Sequence, residues 1–361
     1  MTQQRSFLGH WTWVMPLVAW AALLTVALTG WGGAFLALVA ACLAGAVFAA
    51  VHHAEIVAHR IGEPYGTLVL AIAVTVIEVA LIVSIMLSVG DGKAALARDT
   101  VFAAIMIVCN GIVGLCLLLG GLRHREQVFQ LQGASAALAV LAALSVLALV
   151  LPNYAVTVPG PVWSPAQLAF SGIASLVLYG AFVFIQTIRH RNYFLAVDDG
   201  GDDAHAPPLS VAQTWTSAAL LLVCLVAVVG LAKSLSPAIE AALLDWGAPE
   251  TVVGIIIAAL VLLPEGLAAA RAANADKLQT SLNLALGSAL ASIGLTIPVI
   301  AVISIVTGRP LILGLGAMET VLLLLTLLVG TITLGTGRTT ILQGVVHLVI
   351  FAAFVFLSLV P

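Results

Sequence analysis

Apolar runs of about twenty residues recur along the sequence, the length a helix needs to cross the hydrocarbon core of a bilayer. Lipid offers the backbone no hydrogen-bond partners, so a spanning segment must satisfy its own N–H and C=O groups, which a helix does internally. A window of about 20 residues places spans at roughly 12–30, 33–51, 66–89, 100–121, 133–151, 165–188, 211–232, 251–272, 280–306, 316–335 and 339–360. The expected fold class is an all-α polytopic membrane protein of about 11 transmembrane helices. Composition agrees: 8% of the 361 residues are charged and 62% are hydrophobic, where a soluble domain would carry roughly 25% charged residues. The net charge of −3 implies no acidic or basic partner. Lys and Arg fall mostly between the apolar runs, which argues against nucleic acid. Cys42, Cys109, Cys116 and Cys224 lie inside apolar runs without metal-like or disulfide-like spacing, and read as small core residues. Arg5 and the apolar run from Trp11 imitate a signal peptide, but no small-residue cleavage site follows, so a retained first helix is expected.

Orientation follows from the cations in the gaps. With the N-terminus inside, the inner segments hold Arg5, Arg60, Arg123, Arg125, Arg189, Arg191, Arg271, Lys277 and Arg338, and the outer ones hold Lys93, Arg98, Lys233 and Arg309. The N-terminus is expected in the cytoplasm and the C-terminus outside. The third span then runs outward and the eighth inward.

Those two spans each carry one acid. Glu78 lies in TLVLAIAVTVIEVALIVSIML and Glu265 in VVGIIIAALVLLPEGLAAA. A lone charge at mid-membrane costs about 2.5–3.5 kcal/mol on insertion scales, and an apolar helix has no structural use for it. A hydrogen bond to a neighbouring helix is the structural alternative. Gly62-Glu63-Pro64 precedes the first span and Gly247-Ala248-Pro249-Glu250 the second. The acids lie five spans apart, an odd offset, so the two halves are oppositely threaded, an arrangement that puts transporter sites at the repeat interface. The expected organisation is a helix at 1–32, a five-helix repeat at 33–188, a cytoplasmic acidic linker at 189–210 and a second repeat at 211–361. Asp198, Asp199, Asp202 and Asp203 could attract a cation, but a solvated Gly- and Pro-rich linker is the plainer reading.

Two ionised carboxylates facing each other in a dry site repel and lose hydration. A divalent cation relieves this, and so do two protons, so the two loads compete. If the empty site cannot cross between inward- and outward-facing states, competition becomes exchange. Calcium takes six to eight oxygens in a flexible shell, so further ligands are required. Thr75 lies one turn before Glu78. Asn110, with Gly111 and Gly114, lies in the fourth span. Ser281, Ser288, Ser292 and Thr296 fall on one face of the ninth, where plain helix packing is the alternative. Pro264 frees a backbone carbonyl beside Glu265, or simply kinks the helix. Glu319 follows GRPLILGLGAM, a loop or broken helix that would set it at a helix start. His52, His53, His59 and Glu55 read as a cytoplasmic-side amphipathic connector, with a metal site or pH sensor as the alternative. His347 reads as a packed neutral imidazole.

At these residues the chain resembles a known family. GEPYGTLVLAIAVTVIEVALIVSIM, RDTVFAAIMIVCNGIVGLCLLLGG and PEGLAAARAANADKLQTSLNLALGSALASIGLTIPVI resemble the cation/calcium exchanger superfamily, and more closely its bacterial calcium/proton antiporter branch, which includes sodium- and potassium-moving members. The resemblance implies two inverted five-helix repeats, alternating access and one cation- or proton-binding glutamate per repeat, matching Glu78 and Glu265. Asn110 matches a polar ligand position in the first repeat, Ser288 and Ser292 in the second, and Glu55 an acidic position before the first motif. The chain departs from many relatives in carrying Val74-Thr75 and Val261-Leu262 where they place Gly-Asn, which removes two amide ligands.

The expected function is export of Ca2+ in exchange for H+, with Na+ or K+ exchange for H+ as the alternative. The expected site set is Glu78, Glu265, Asn110, Ser288, Ser292 and Thr75, with Glu55 and Glu319 as regulatory or proton-relay candidates and Ca2+ held by Glu78 and Glu265. No resident cofactor is expected beyond the transported ions. The expected partners are the bilayer and inorganic cations, and the expected location is a bacterial inner membrane. No HExxH, paired catalytic Asp or Ser/Lys constellation argues for an enzyme, and no selectivity-filter signature argues for a channel.

Overall fold

The computed structural model describes the backbone of residues 3–29, 34–62, 65–88, 94–195, 210–245, 249 and 251–360. Glu63, Pro64, Lys93, the Asp198–Asp203 cluster, Gly247, Ala248 and Glu250 lie outside the described residues. The helical segments are α1 Gln3–Thr29, α2 Ala34–Ile61, α3 Tyr65–Ser88, α4 Leu96–His124, α5 Leu131–Tyr154 and α6 Pro165–Arg189. They continue with α7 Val211–Asp245, α8 Thr251–Asn274, α9 Leu278–Thr307, α10 Ala317–Leu334 and α11 Ile341–Leu359. Among the described residues, nine helices, α2 and α4–α11, are long and apolar enough to cross a membrane; α1 and α3 contribute the shorter apolar stretches Trp11–Val26 and Ile72–Val83. The chain is an all-α integral membrane protein. Its helices are built for lipid: α6 exposes Phe170, Ile173 and Val177 and buries Ser171, Ser175 and Tyr179, so the polar atoms face the protein.

The chain divides into two compact units, Met1–Gly90 with His205–Glu250, and Asp91–Ala204 with Thr251–Pro361. In the first, α2 packs along α7 and α3, and α1 packs on α2 and α7. Gly45 and Gly230 are the contact points for α1, because a Cβ on either would strike Met15 or Leu23. Pro16 sits inside α1 and has no N–H to give the Thr12 carbonyl four residues back. The ring of His53 on α2 supplies the missing donor, its Nε2 lying 3.1 Å from that carbonyl. This corrects the expected end of the second span near residue 51: the stretch with His52, His53, Glu55 and His59 is an amphipathic continuation of the same helix. Helix α2 runs unbroken to Ile61 because nothing before Gly62, at φ +74°, interrupts it. His53 is fully buried, while Glu55 and His59 are exposed on the same helix.

In the second unit, α4 packs along α8 and α11, and α9 packs along α6 and α8. The α4–α11 approach is close enough that a Cβ on Gly344 would lie 2.5 Å from the Leu118 amide nitrogen, and one on Gly114 would lie 2.9 Å from the His347 Cβ. Short backbone ties close the ends. Strand β1, Gln127–Val128 between α4 and α5, pairs antiparallel with β2, Arg338–Thr339 between α10 and α11. An antiparallel bridge joins Val162, between α5 and α6, to Ile312, between α9 and α10.

These contacts carry an internal symmetry. Advancing a helix by five turns α4 into α9 and α6 into α11, so the α4–α11 pair corresponds to the α9–α6 pair. The same step turns the α4–α5 link into the α9–α10 link and the α5–α6 link into the α10–α11 link, so the β1–β2 pair corresponds to the Val162–Ile312 bridge. Helices α6 and α11 even start alike, with capping boxes Ser164/Gln167 and Thr340/Gln343. Five is odd, so the related repeats are threaded through the bilayer in opposite senses.

Candidate cation site

Glu78 sits on the protein-facing side of α3. It is 2% exposed among buried Ile77, Leu81 and Ile82, while Ile72 and Val76 on the other side are 44% exposed. Thr75, one turn earlier, is also buried, and shares that face. Helix α8 presents Glu265 in the same manner: it is 8% exposed, and Leu263 and Leu267 face outward. Pro264 lies within an unbroken helix and leaves the Leu260 carbonyl without its helical donor.

Glycine contacts fix the register of α8 on α4. Gly254 lies against Asp99 and Thr100, and Gly266 against Ile112. The two contacts share one offset in numbering, which puts Glu265 at the level of Asn110 and Gly111. At that level α4 widens into a π-helical turn, Ile107–Ile112, a distortion that recurs at functional sites. Asn110 is fully buried. Its carboxamide is engaged at both ends: Nδ2 donates to Thr326 Oγ1 on α10 at 2.8 Å, and Oδ1 lies 3.0 Å from His347 Nδ1 on α11. His347 Nε2 lies 3.1 Å from Thr333 Oγ1. The amide expected among the cation ligands is thus at the right depth, with its hydrogen bonds directed to α10 and α11.

On α9, Ser281, Ser292 and Thr296 are buried and Ser288 is half-buried. Ser281 meets the Cys116 thiol of α4. Thr296 Oγ1 is buried with no hydrogen-bond partner among the described residues, the kind of oxygen that a water or an ion completes. Glu319 occupies the first turn of α10, capped by Gly316, and its carboxylate folds back over Gly316. It is a helix-start acid, favoured there by the helix dipole. Glu55 lies exposed on α2. Thr326 and Thr333 are the residues beside this level that sequence reasoning did not single out. Both lie on α10, two of its four threonines in an otherwise apolar span, so no signal in the sequence set them apart.

A family model described as "Sodium/calcium exchanger protein" matches residues 31–188 and 216–360. The chain belongs to the sodium/calcium exchanger protein family. Within it, the y4hA protein of Sinorhizobium fredii is 53% identical over 357 residues, covering 97% of this chain and 96% of that one. The sodium-potassium/proton antiporter ChaA of Escherichia coli is 39% identical over 311 residues, covering 85% and 84%. Among solved structures, native YfkE superposes with a TM-score of 0.75 at 16% identity, covering 97% of this chain and all of that one. The H+/Ca2+ exchanger CAX gives 0.69 at 14% identity, covering 96% and 87%. At such identities the likeness is one of fold. The matched stretches of the exchanger family model correspond to α2–α6 and to α7–α11, and each carries one buried acid near the middle of a helix, Glu78 on α3 and Glu265 on α8.

Proposed function

We propose that this protein is a secondary antiporter that exports Ca2+ in exchange for H+ by alternating access. The observation that carries this reading is the pair of carboxylates, each buried at mid-span on corresponding helices of two oppositely threaded repeats. Such acids are expensive in lipid and mark ion and proton pathways. In this reading Glu78 and Glu265 hold either the cation or protons, and the barrier to crossing empty couples the two flows. Thr75, Ser288, Ser292 and the carbonyl freed by Pro264 are the proposed supporting oxygens. The repeats are assigned to 33–188 and 211–361, with the N-terminus cytoplasmic and the C-terminus on the far side of a bacterial inner membrane. Glu55 and Glu319, lying away from mid-span, are assigned to regulation or proton access.

The test is proton release from inverted vesicles energised by respiration. Addition of Ca2+ is expected to collapse the pH gradient, and both Glu78→Gln and Glu265→Gln are expected to abolish the response at wild-type protein levels. Retained Ca2+-dependent release in both variants sinks the proposal. A second reading keeps the machine and changes the cargo to Na+ or K+. The 39% identity to a sodium-potassium/proton antiporter favours it, and so does the absence of Asn at positions 75 and 262. A dye response to Na+ or K+ with none to Ca2+ decides for it.

A further inference from the structure

The Asn110–His347 contact lies at the depth of Glu265, and the direction of its hydrogen bonds is assigned from its neighbours. Thr326 Oγ1 donates its proton to the Leu322 carbonyl at 2.7 Å. Its other acceptor, Met106 Sδ, is longer at 3.3 Å; with the proton so engaged, Oγ1 accepts from Asn110 Nδ2 at 2.8 Å, and Oδ1 is left toward His347. An amide oxygen only accepts, so His347 Nδ1 carries the hydrogen. The Cys109 carbonyl, in the same widened turn, also lies against that ring. From the other side Thr333 Oγ1 reaches Nε2, and the lack of a side chain at Gly114 lets α4 come close to the His347 Cβ. The imidazole is buried, oriented by partners on two helices, and aimed at the one carboxamide of α4.

We propose that His347 is a specificity-determining positioning residue: it holds the Asn110 oxygen on α11 and withholds it from the transported cation. This rests on the antiport reading above. An ion–dipole attraction scales with the charge of the ion, and Ca2+ draws on six to eight oxygens. Removing a neutral oxygen from the shell therefore penalises a divalent ion more than a monovalent one. With Val74-Thr75 and Val261-Leu262 beside the acids, the latch makes the ligand set sparser still, and tilts the site toward Na+ or K+.

The experiment uses the full chain in proteoliposomes with an internal pH dye, measuring KM and maximal rate for Ca2+ and for Na+. His347→Met fills the space without an N–H. It is expected to lower the Ca2+ KM roughly three- to tenfold, the value of one released hydrogen bond, while the Na+ KM shifts less than about twofold. His347→Gln keeps a donor for Oδ1 and is expected to retain the wild-type ion preference. The double variant His347→Met/Asn110→Ala is expected to lose the gain. Thr326→Val, which releases the other end of the carboxamide, is expected to shift preference the same way by a smaller factor, and it carries the test should His347→Met not fold. The proposal is overturned by an equal rise in both KM values in His347→Met, by identical behaviour of the Met and Gln variants, by a gain that survives Asn110→Ala, or by an unchanged or raised Ca2+ KM in Thr326→Val. A wild-type chain that exchanges no cation for protons overturns the antiport reading as well, a result separable from exchange whose ion preference ignores position 347.

Discussion

Pro16 and His53 show how a single residue's deficit is made good by another 37 positions away. The proline removes a donor from α1, and the imidazole of α2 restores it at 3.1 Å. Interhelical hydrogen bonds in membranes are worth about 0.6 kcal/mol on average and up to about 1.7. His53→Phe keeps the ring and loses the donor, so thermal unfolding in detergent is expected to show a loss of about 1 kcal/mol. Pro16→Ala in that background returns an N–H to the Thr12 carbonyl, and is expected to recover most of the loss. Equal stabilities for His53→Phe and the double variant would contradict the pairing. Residue chemistry was legible to unequal degrees. Glu78 and Glu265 announced themselves as charges in apolar runs. The His53 contact did not, because its logic lies in a carbonyl on another helix that no pattern in α2 encodes. Asn110 was legible as polar and buried, but not which way its amide points, since its partners Thr326 and His347 lie more than 200 residues on.

At the scale of elements, the eleven helices were readable from apolar length, and among the described residues nine of them are long and apolar enough to cross a membrane. Their ends were less so: α2 and α7 continue past charged residues for several turns, since helical hydrogen bonding persists beyond the apolar core. The π turn of α4 has no composition signal at all. Helix pairing was hinted at only by small residues. In lipid, helices are not driven together by apolar burial, and close backbone approach matters instead. Gly344 is where that approach is tightest. Gly344→Val is expected to destabilise the protein by about 1–3 kcal/mol through overpacking against the Leu118 backbone, read as a lowered Tm. Gly287, whose Cβ would meet nothing within 4 Å, is the control: Gly287→Ala is expected to be neutral or slightly stabilising.

For the whole molecule, the two-fold relation between repeats makes a directional prediction. Glu126 in the α4–α5 link and Val156 in the α5–α6 link flank one helix, so they belong on opposite faces of the membrane. Both are exposed, Val156 at 97%, and the four native cysteines are buried. A membrane-impermeant maleimide applied to intact cells is expected to label Val156→Cys at once and Glu126→Cys only after permeabilisation. The reverse pattern overturns the orientation drawn from the Lys and Arg count, and labelling of both from one side overturns the threading itself. The symmetry was foreseeable from the odd offset, five spans, from one acid-bearing helix to the other. The matched β1–β2 and Val162–Ile312 ties were not, since two-residue pairings carry no periodic pattern.

Those ties, and the Asn110–His347 contact with them, always join a segment made early to one made late. A ribosome adds roughly 5–20 residues per second, and 237 residues separate Asn110 from His347. Helix α4 therefore waits on the order of ten to fifty seconds in the membrane with a polar amide and a glycine seam uncovered. During biogenesis the first repeat is an unfinished product until the closing helix arrives.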